Sequence, residues 1–238
     1  MKIALLSGTS GLVGMQLLDK TLQADRYDYV ISVGRRQLAL KHQKLVQLSG
    51  DLSQLEFWDW EDMIASQALG GEYFSLIEGL KGNALIHAYS SLGTTIKQAG
   101  SKEGFFAIDH DLVVGFAQWA KKLGATGFYY VSAMGADSTS SIFYNQVKGK
   151  TEEDLQGLQF EHLALFRPSL LLGNRQEFRL GEQLASIVMK PLVWLKILKN
   201  VRPIYDYQVA KAMVHVAGDP ARKGIEIVTS GEMQDLSK

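Results

Sequence analysis

Tyr144 and Lys148 stand four residues apart in Phe143-Tyr144-Asn145-Gln146-Val147-Lys148-Gly149. On a helix that spacing puts a phenol and an ammonium on one face. A free tyrosine, with a pKa near about 10, carries protons poorly at neutral pH. A neighbouring cation favours the phenolate and brings the group towards a useful range. Ser132, twelve residues before Tyr144, can donate a hydrogen bond to a substrate oxygen. The three together suit proton transfer at a carbonyl or hydroxyl oxygen while hydride arrives at, or leaves, the attached carbon. Helices also pair Tyr and Lys for packing alone, so the trio gains meaning only from what surrounds it.

That setting begins at the amino end. Lys2–Leu6 reads as a strand, followed by Ser7-Gly8-Thr9-Ser10-Gly11-Leu12-Val13-Gly14 and then by apolar residues at helical spacing. In this turn Gly8 supports a conformation closed to other residues. Gly11 lets backbone approach a pyrophosphate, and Gly14 lets helix and sheet pack closely. The N–H groups and dipole of the helix start favour an anion. Thr9, Ser10, Leu12 and Val13 complete the expected cradle.

A second strand, Tyr29–Val33, ends at Gly34-Arg35-Arg36. A carboxylate there would repel a 2′-phosphate, whereas Arg35 and Arg36 can pair with one, so the expected cofactor is NADP(H). Asp51 and Leu52, after a short third strand at Leu45–Leu48, are placed to meet the adenine.

The remaining pattern supplies the scaffold. Ala84–Tyr89, Phe128–Val131 and Phe160–Phe166 read as strands. Between them lie a long amphipathic helix from about Gly104 to Lys122 and one through Tyr144, Lys148 and Leu155. Glu56–Met63, Ala65–Leu69 and Tyr73–Leu80 are read as helical. After Gly173 come helices at Glu182–Met189 and Tyr207–Ala217 and a late strand at Ile225–Val228. Alternating strands and helices require an α/β, doubly wound, mostly parallel sheet whose ligands sit beyond the strand carboxyl ends. Residues 1–238 are expected to form a single NAD(P)-binding domain, with 173–238 contributing much of a substrate-side cap.

Composition narrows the partners. Lys plus Arg equals Asp plus Glu at 25 each, so no global field favours nucleic acid. The absence of cysteine excludes disulfides and thiolate chemistry and suits a reducing compartment, read here as the cytoplasm. The five histidines form no ligand pair, so no metal is expected; His87 and His162 are read as core or edge hydrogen-bonding groups. No apolar run reaches the roughly 20 residues a membrane span needs. The segment around Trp194 has three readings: a lid on an apolar substrate pocket, a subunit contact or a membrane-surface helix.

The glycine turn, Gly34-Arg35-Arg36, Ser91–Thr95, Gly104-Phe105-Phe106, Phe143–Gly149, Phe166–Leu172, Arg202-Pro203-Ile204 and Val209–Met213 together resemble the atypical or extended-type short-chain dehydrogenase/reductases. The resemblance implies a Rossmann-type fold with Tyr144 and Lys148 as the active pair and Lys148 bonded to the nicotinamide ribose. It also implies a cofactor-lining segment of Tyr89, Ser90, Ser91, Leu92 and Gly93, and a nicotinamide-end contact at Pro168. Two departures stand out. Ser132 is followed by Ala133 where paired serines are usual, and Asp109 occupies the place of a helix asparagine that supports a water relay. An ionised carboxylate cannot donate as that amide does.

The leading expectation is an NADPH-dependent reductase of a small apolar carbonyl compound. The alternatives are an NADP(H)-bound regulatory or protein-interaction module with little catalysis, and an epimerase or dehydratase of a nucleotide-linked sugar. A homodimer and a monomer both fit.

Overall fold

A computed structural model describes residues 1–67, 72–173 and 199–238. The main sheet contains β1 (Lys2–Ser7), β2 (Tyr29–Gly34), β3 (Leu45–Ser49), β4 (Leu85–Ser90), β5 (Ala125–Val131) and β6 (His162–Arg167). A two-residue β7 (Leu171–Leu172) and β8 (Ile204–Tyr205) form a separate pair, and β9 (Gly224–Thr229) returns to the main sheet. Its order is β3-β2-β1-β4-β5-β6-β9, with every neighbouring pair parallel. The direction of winding reverses between β1 and β4, which opens a crevice at their carboxyl ends.

The described helices are α1 (Leu12–Gln23), α2 (Trp60–Ala65), α3 (Glu72–Glu78), α4 (Ile96–Ala99), α5 (Lys102–Phe106), α6 (Leu112–Lys122), α7 (Phe143–Gly157), α8 (Asp206–Gly218) and α9 (Ser230–Leu236). Strand alternation divides the core into two layers. Ile3, Leu5, Phe128, Leu163 and Leu165 pack with Val113, Phe116 and Leu155 on one side. Ala4, Leu6, Ala164 and Phe166 pack with Leu17, Val209, Met213 and Met233 on the other. Each wholly buried Leu or Ile contributes about 1.5–3 kcal/mol of apolar transfer, so both layers hold the strand ends in fixed register.

The long helix expected from Gly104 to Lys122 is interrupted. A π turn at Ala107–Asp111 joins α5 to α6, and Asp109 is buried inside it. Single π turns of this kind recur at functional sites. The early helical reading of 56–63 divides between a 3-10 turn at Leu52–Phe57 and α2. The helix read at Glu182–Met189 and the segment around Trp194 lie outside the described residues.

The C-terminal elements have two roles. The β7–β8 pair caps the carboxyl end of the sheet, where Gly173 approaches Leu12 so closely that a Cβ would lie 2.5 Å from it. In contrast, α8 packs in the same apolar layer as α1, and β9 is the seventh strand of the main sheet.

Candidate functional site

The turn after β1 is shaped by contacts that leave no room for side chains. Gly8 has φ of +80°, and a Cβ there would lie 2.6 Å from the Ser91 carbonyl carbon. A Cβ on Gly14 would lie 2.0 Å from the Gly8 oxygen. The Gly11 N–H donates to the Gly8 carbonyl at 2.9 Å, closing the loop under the helix. Gly11 caps α1 without any side-chain hydrogen bond, and no acidic residue occupies the first turn. The N–H groups of Leu12, Val13 and Gly14 therefore keep donor capacity for an anion. Thr9 is buried and shares a hydrogen bond with Ser32, 2.7 Å away, while Ser10 is exposed. A pyrophosphate fits this cradle.

The segment after β4 lies against the same turn. The Ser91 hydroxyl donates to the Ser7 and Gly8 carbonyls at 3.0 and 3.3 Å, and Ser7 donates to Ser90 at 3.1 Å. Leu92 packs on the core and Gly93 is exposed. Tyr89 departs from the expected lining: its side chain is wholly buried on the α1 side of the sheet, hydrogen-bonded to Tyr27.

Arg35 and Arg36 are exposed beyond β2. Asp51 uses one carboxylate oxygen to accept from the Ser53 N–H and hydroxyl, at 3.0 and 2.9 Å. Those bonds hold its carboxyl below the usual range. Leu52 is buried in the core rather than presented to solvent.

The reaction-centre candidates converge at the carboxyl ends of β5 and β6. The Ser132 N–H donates to Phe166 O at 2.7 Å, and Met134 N–H donates to Pro168 O at 3.0 Å. Ser132 and the buried Pro168 thus lie on adjacent loops. The Ser132 hydroxyl is buried and has no hydrogen-bond partner among the described residues. Gly149 fixes this loop on α7: a Cβ there would lie 2.1 Å from Ser138 N. Tyr144 is half-buried, with its ring 5.6 Å from that of Phe105.

Lys148 is almost wholly buried. Its ammonium lies 2.8 Å from Asp109 Oδ1 and donates to the Tyr130 hydroxyl at 2.9 Å. The other Asp109 oxygen accepts from the Thr94 N–H at 2.7 Å. Burial alone would pull the ammonium down, but Tyr130, Asp109 and Tyr144 together outweigh it and hold Lys148 above its ordinary value. For Tyr130 burial wins over the nearby cation, and the phenol is pushed up to about 12. Lys148 thus sits between Asp109 and the Tyr130 hydroxyl. An ammonium has three donors; the Tyr130 hydroxyl takes one, and Asp109 Oδ1 lies within ion-pair distance.

Sequence reasoning did not find Tyr130. Its signal was a phenol at a core-facing position of an apolar strand, where a buried hydroxyl needs a partner. Asp109 was visible only as a departure from a pattern; the structure pairs it directly with Lys148. No cluster of potential metal ligands occurs among the described residues.

No family model matches the chain. It is 34% identical over 186 residues to protein HTATIP2 of Rattus norvegicus, covering 77% of this chain and 69% of that protein. With protein FMP52, mitochondrial, of Candida albicans it shares 32% identity over 234 residues, covering 96% and 90%. Among solved structures, WbmH of Bordetella bronchiseptica in complex with NAD+ superposes with a TM-score of 0.64 and 16% identity. That match covers all of this chain and 80% of the other. UDP-glucose 4-epimerase of Thermotoga maritima, solved with UDP-glucose, gives 0.63 and 14%, covering 96% and 77%. These structural likenesses establish the doubly wound fold.

Two expectations are corrected. The neighbours MoeE5, WbmG and WbmH were solved with NAD, which overturns the preference for NADP(H). The physical reason is an asymmetry: a carboxylate beyond β2 would exclude a 2′-phosphate, but a guanidinium also donates to hydroxyl oxygens, so Arg35 and Arg36 do not exclude NAD. The cytoplasmic reading is overturned by the FMP52 relatives, which are named as mitochondrial. A lack of cysteine distinguishes reducing from oxidising surroundings, not one reducing compartment from another.

Proposed function

Since the chain belongs to the FMP52 and HTATIP2 family, of extended short-chain dehydrogenase/reductase character, we propose that it is an NAD-dependent oxidoreductase-type enzyme acting on a hydroxylated, nucleotide-sugar-like substrate by epimerase or dehydratase chemistry. The observation that carries this reading is the placement of Ser132, Tyr144 and Lys148 at the same strand ends as the glycine turn. The fold's similarity to a UDP-glucose 4-epimerase and to MoeE5 with UDP-glucose and NAD supports the substrate class. A small-carbonyl reductase would use the same face, but those neighbours favour the sugar-linked alternative.

Leu12, Val13 and Gly14 would hold the pyrophosphate, Ser91 and Gly93 would border the cofactor, and Lys148 would hold a ribose hydroxyl. Bound NAD supplies the acceptor and donor of hydride. Tyr144 accepts the proton of a substrate hydroxyl as its carbon is oxidised and returns it when the carbonyl is reduced. Ser132 donates to the same oxygen, which satisfies its buried hydroxyl and stabilises charge developing there. Like the FMP52 relatives, the chain is assigned to mitochondria, testable by imaging the tagged protein.

The test is NMR analysis of UDP-sugars incubated with the NAD-loaded chain, read as epimer or dehydrated product. Tyr144→Phe should lower turnover by about 10²–10⁴-fold with NAD affinity retained. Equal turnover in that variant would remove Tyr144 from the chemistry. NAD binding without turnover of any hydroxylated substrate would identify a dinucleotide-bound interaction module instead.

A further inference from the structure

At the opposite ends of the strands lies a cavity of about 440 Å³, within the range used by small-molecule sites. Its floor is polar where the surrounding layer is apolar. His87, Gly127 and His162 are lateral neighbours across β4, β5 and β6. Tyr129 lies two residues beyond Gly127, and its phenol folds back over the strand: a Cβ on Gly127 would lie 2.5 Å from that hydroxyl. The Tyr129 hydroxyl is 3.3 Å from His162 Nδ1, and His162 Nε2 is 2.6 Å from Glu226. On the other side the Tyr27 hydroxyl is 2.8 Å from His87 Nδ1. A buried network of this kind is costly unless satisfied, and the chemistry at the carboxyl ends makes no use of it.

The rim is cationic. Lys2, Arg26, Arg222 and Lys223 line the cavity, with Glu161 and Asp219 as its acidic members. Arg222 is engaged by Glu226 at 2.7 Å and Asp219 at 3.6 Å. Among the described residues, no ion pair joins Lys2, Arg26 or Lys223 to a carboxylate. Arg26 is nevertheless held in place: it donates to the Val214 carbonyl at 3.2 Å and lies so tightly on Gly218 that any Cβ there would overlap its guanidinium. The charges converge on His87. Burial, then Arg26, Lys2 and His162, lower its value to about 4, so it faces the cavity as a neutral ring.

We propose that this cavity binds a small organic phosphate, its oxyanion held by Lys2, Arg26 and Lys223 and its neutral body against His87, Thr126 and Tyr129. Three cations left without carboxylate partners match a doubly charged oxyanion, and the volume exceeds what inorganic phosphate fills. Glu161 on the rim disfavours ligands with a second anionic end. The site is separate from the dinucleotide cradle and does not depend on the activity assigned there.

The test is titration of the full-length, histidine-labelled protein with glycerol phosphate, followed by NMR of the five imidazole rings. Saturable shifts of His87 and His162, with His42, His110 and His215 unmoved, are expected. The substitutions Lys2→Gln, Arg26→Gln and Lys223→Gln together should weaken binding at least about tenfold. Lys2→Gln with Lys223→Gln, which leaves the packed Arg26 untouched, should weaken it in the same direction. No saturable shift, or equal affinity in both variants, would overturn the site. Inorganic phosphate binding as tightly as glycerol phosphate would overturn the assignment of an organic ligand.

Discussion

Lys148 is engaged by Asp109 and Tyr130 independently of any substrate. Asp109→Asn removes the counter-charge 2.8 Å from that buried ammonium. It should cost about 3 kcal/mol of stability, because Lys148 would remain buried without it. Urea unfolding checks this, and a variant as stable as the parent would contradict the electrostatic account. A second residue-scale consequence concerns His87. Its value is lowered from 6.5 to about 4 by burial first and then by Arg26 and Lys2. Above pH 6.5 it is neutral whether the chain is folded or not. As pH falls the unfolded chain takes up a proton that the folded one resists, so stability falls from about pH 6.5 and levels off below about pH 4, by up to about 3 kcal/mol. His87→Asn should flatten that part of the stability–pH curve; an unchanged curve would assign acid lability elsewhere.

At the scale of elements, glycines decide whether the site can assemble. Gly149 lets the loop carrying Ser132 and Gly135 lie on α7, since a Cβ would collide with Ser138 N. Gly149→Ala should cost about 1–3 kcal/mol through overpacking and reduce turnover while NAD affinity persists. The checks are thermal unfolding and calorimetry; unaffected turnover would show that the loop is not positioned by this contact. Gly14→Ala acts at the other end, driving α1 from the turn, and should abolish NAD binding. The glycine spacing, the strand alternation and Tyr144–Lys148 were all legible because each leaves a local signature. The π turn was not, since an amphipathic pattern such as Gly104–Lys122 reads the same with one extra residue in a turn. Leu52 and Tyr89 were misread as lining because proximity in sequence to a strand end does not say which way a side chain points. Leu52 packs into the core and Tyr89 joins Tyr27 below the opposite face.

Across the whole molecule, the sheet separates two groups of polar side chains. The carboxyl ends of the strands gather the glycine turn, Ser132, Tyr144 and Lys148; the amino ends gather His87, His162 and three cations that have no carboxylate partner among the described residues. The parallel order was readable from the repeating strand–helix pattern, but the membership of β9 in the main sheet was not, because only tertiary pairing with β6 reveals it. Cofactor choice was also beyond local reasoning, since exposed arginines accommodate a hydroxyl as well as a phosphate. The central claim is that NAD bound along α1 brings its reactive ring to the Tyr144–Lys148 face. The most direct measurement is the distance from nicotinamide C4 to the Tyr144 hydroxyl in a crystal structure of the NAD complex. The account predicts a separation that leaves room for one substrate carbon–oxygen unit, with each contact about 3–3.5 Å. A ring directed away from Tyr144, or NAD bound elsewhere than on Leu12, Val13 and Gly14, would contradict it.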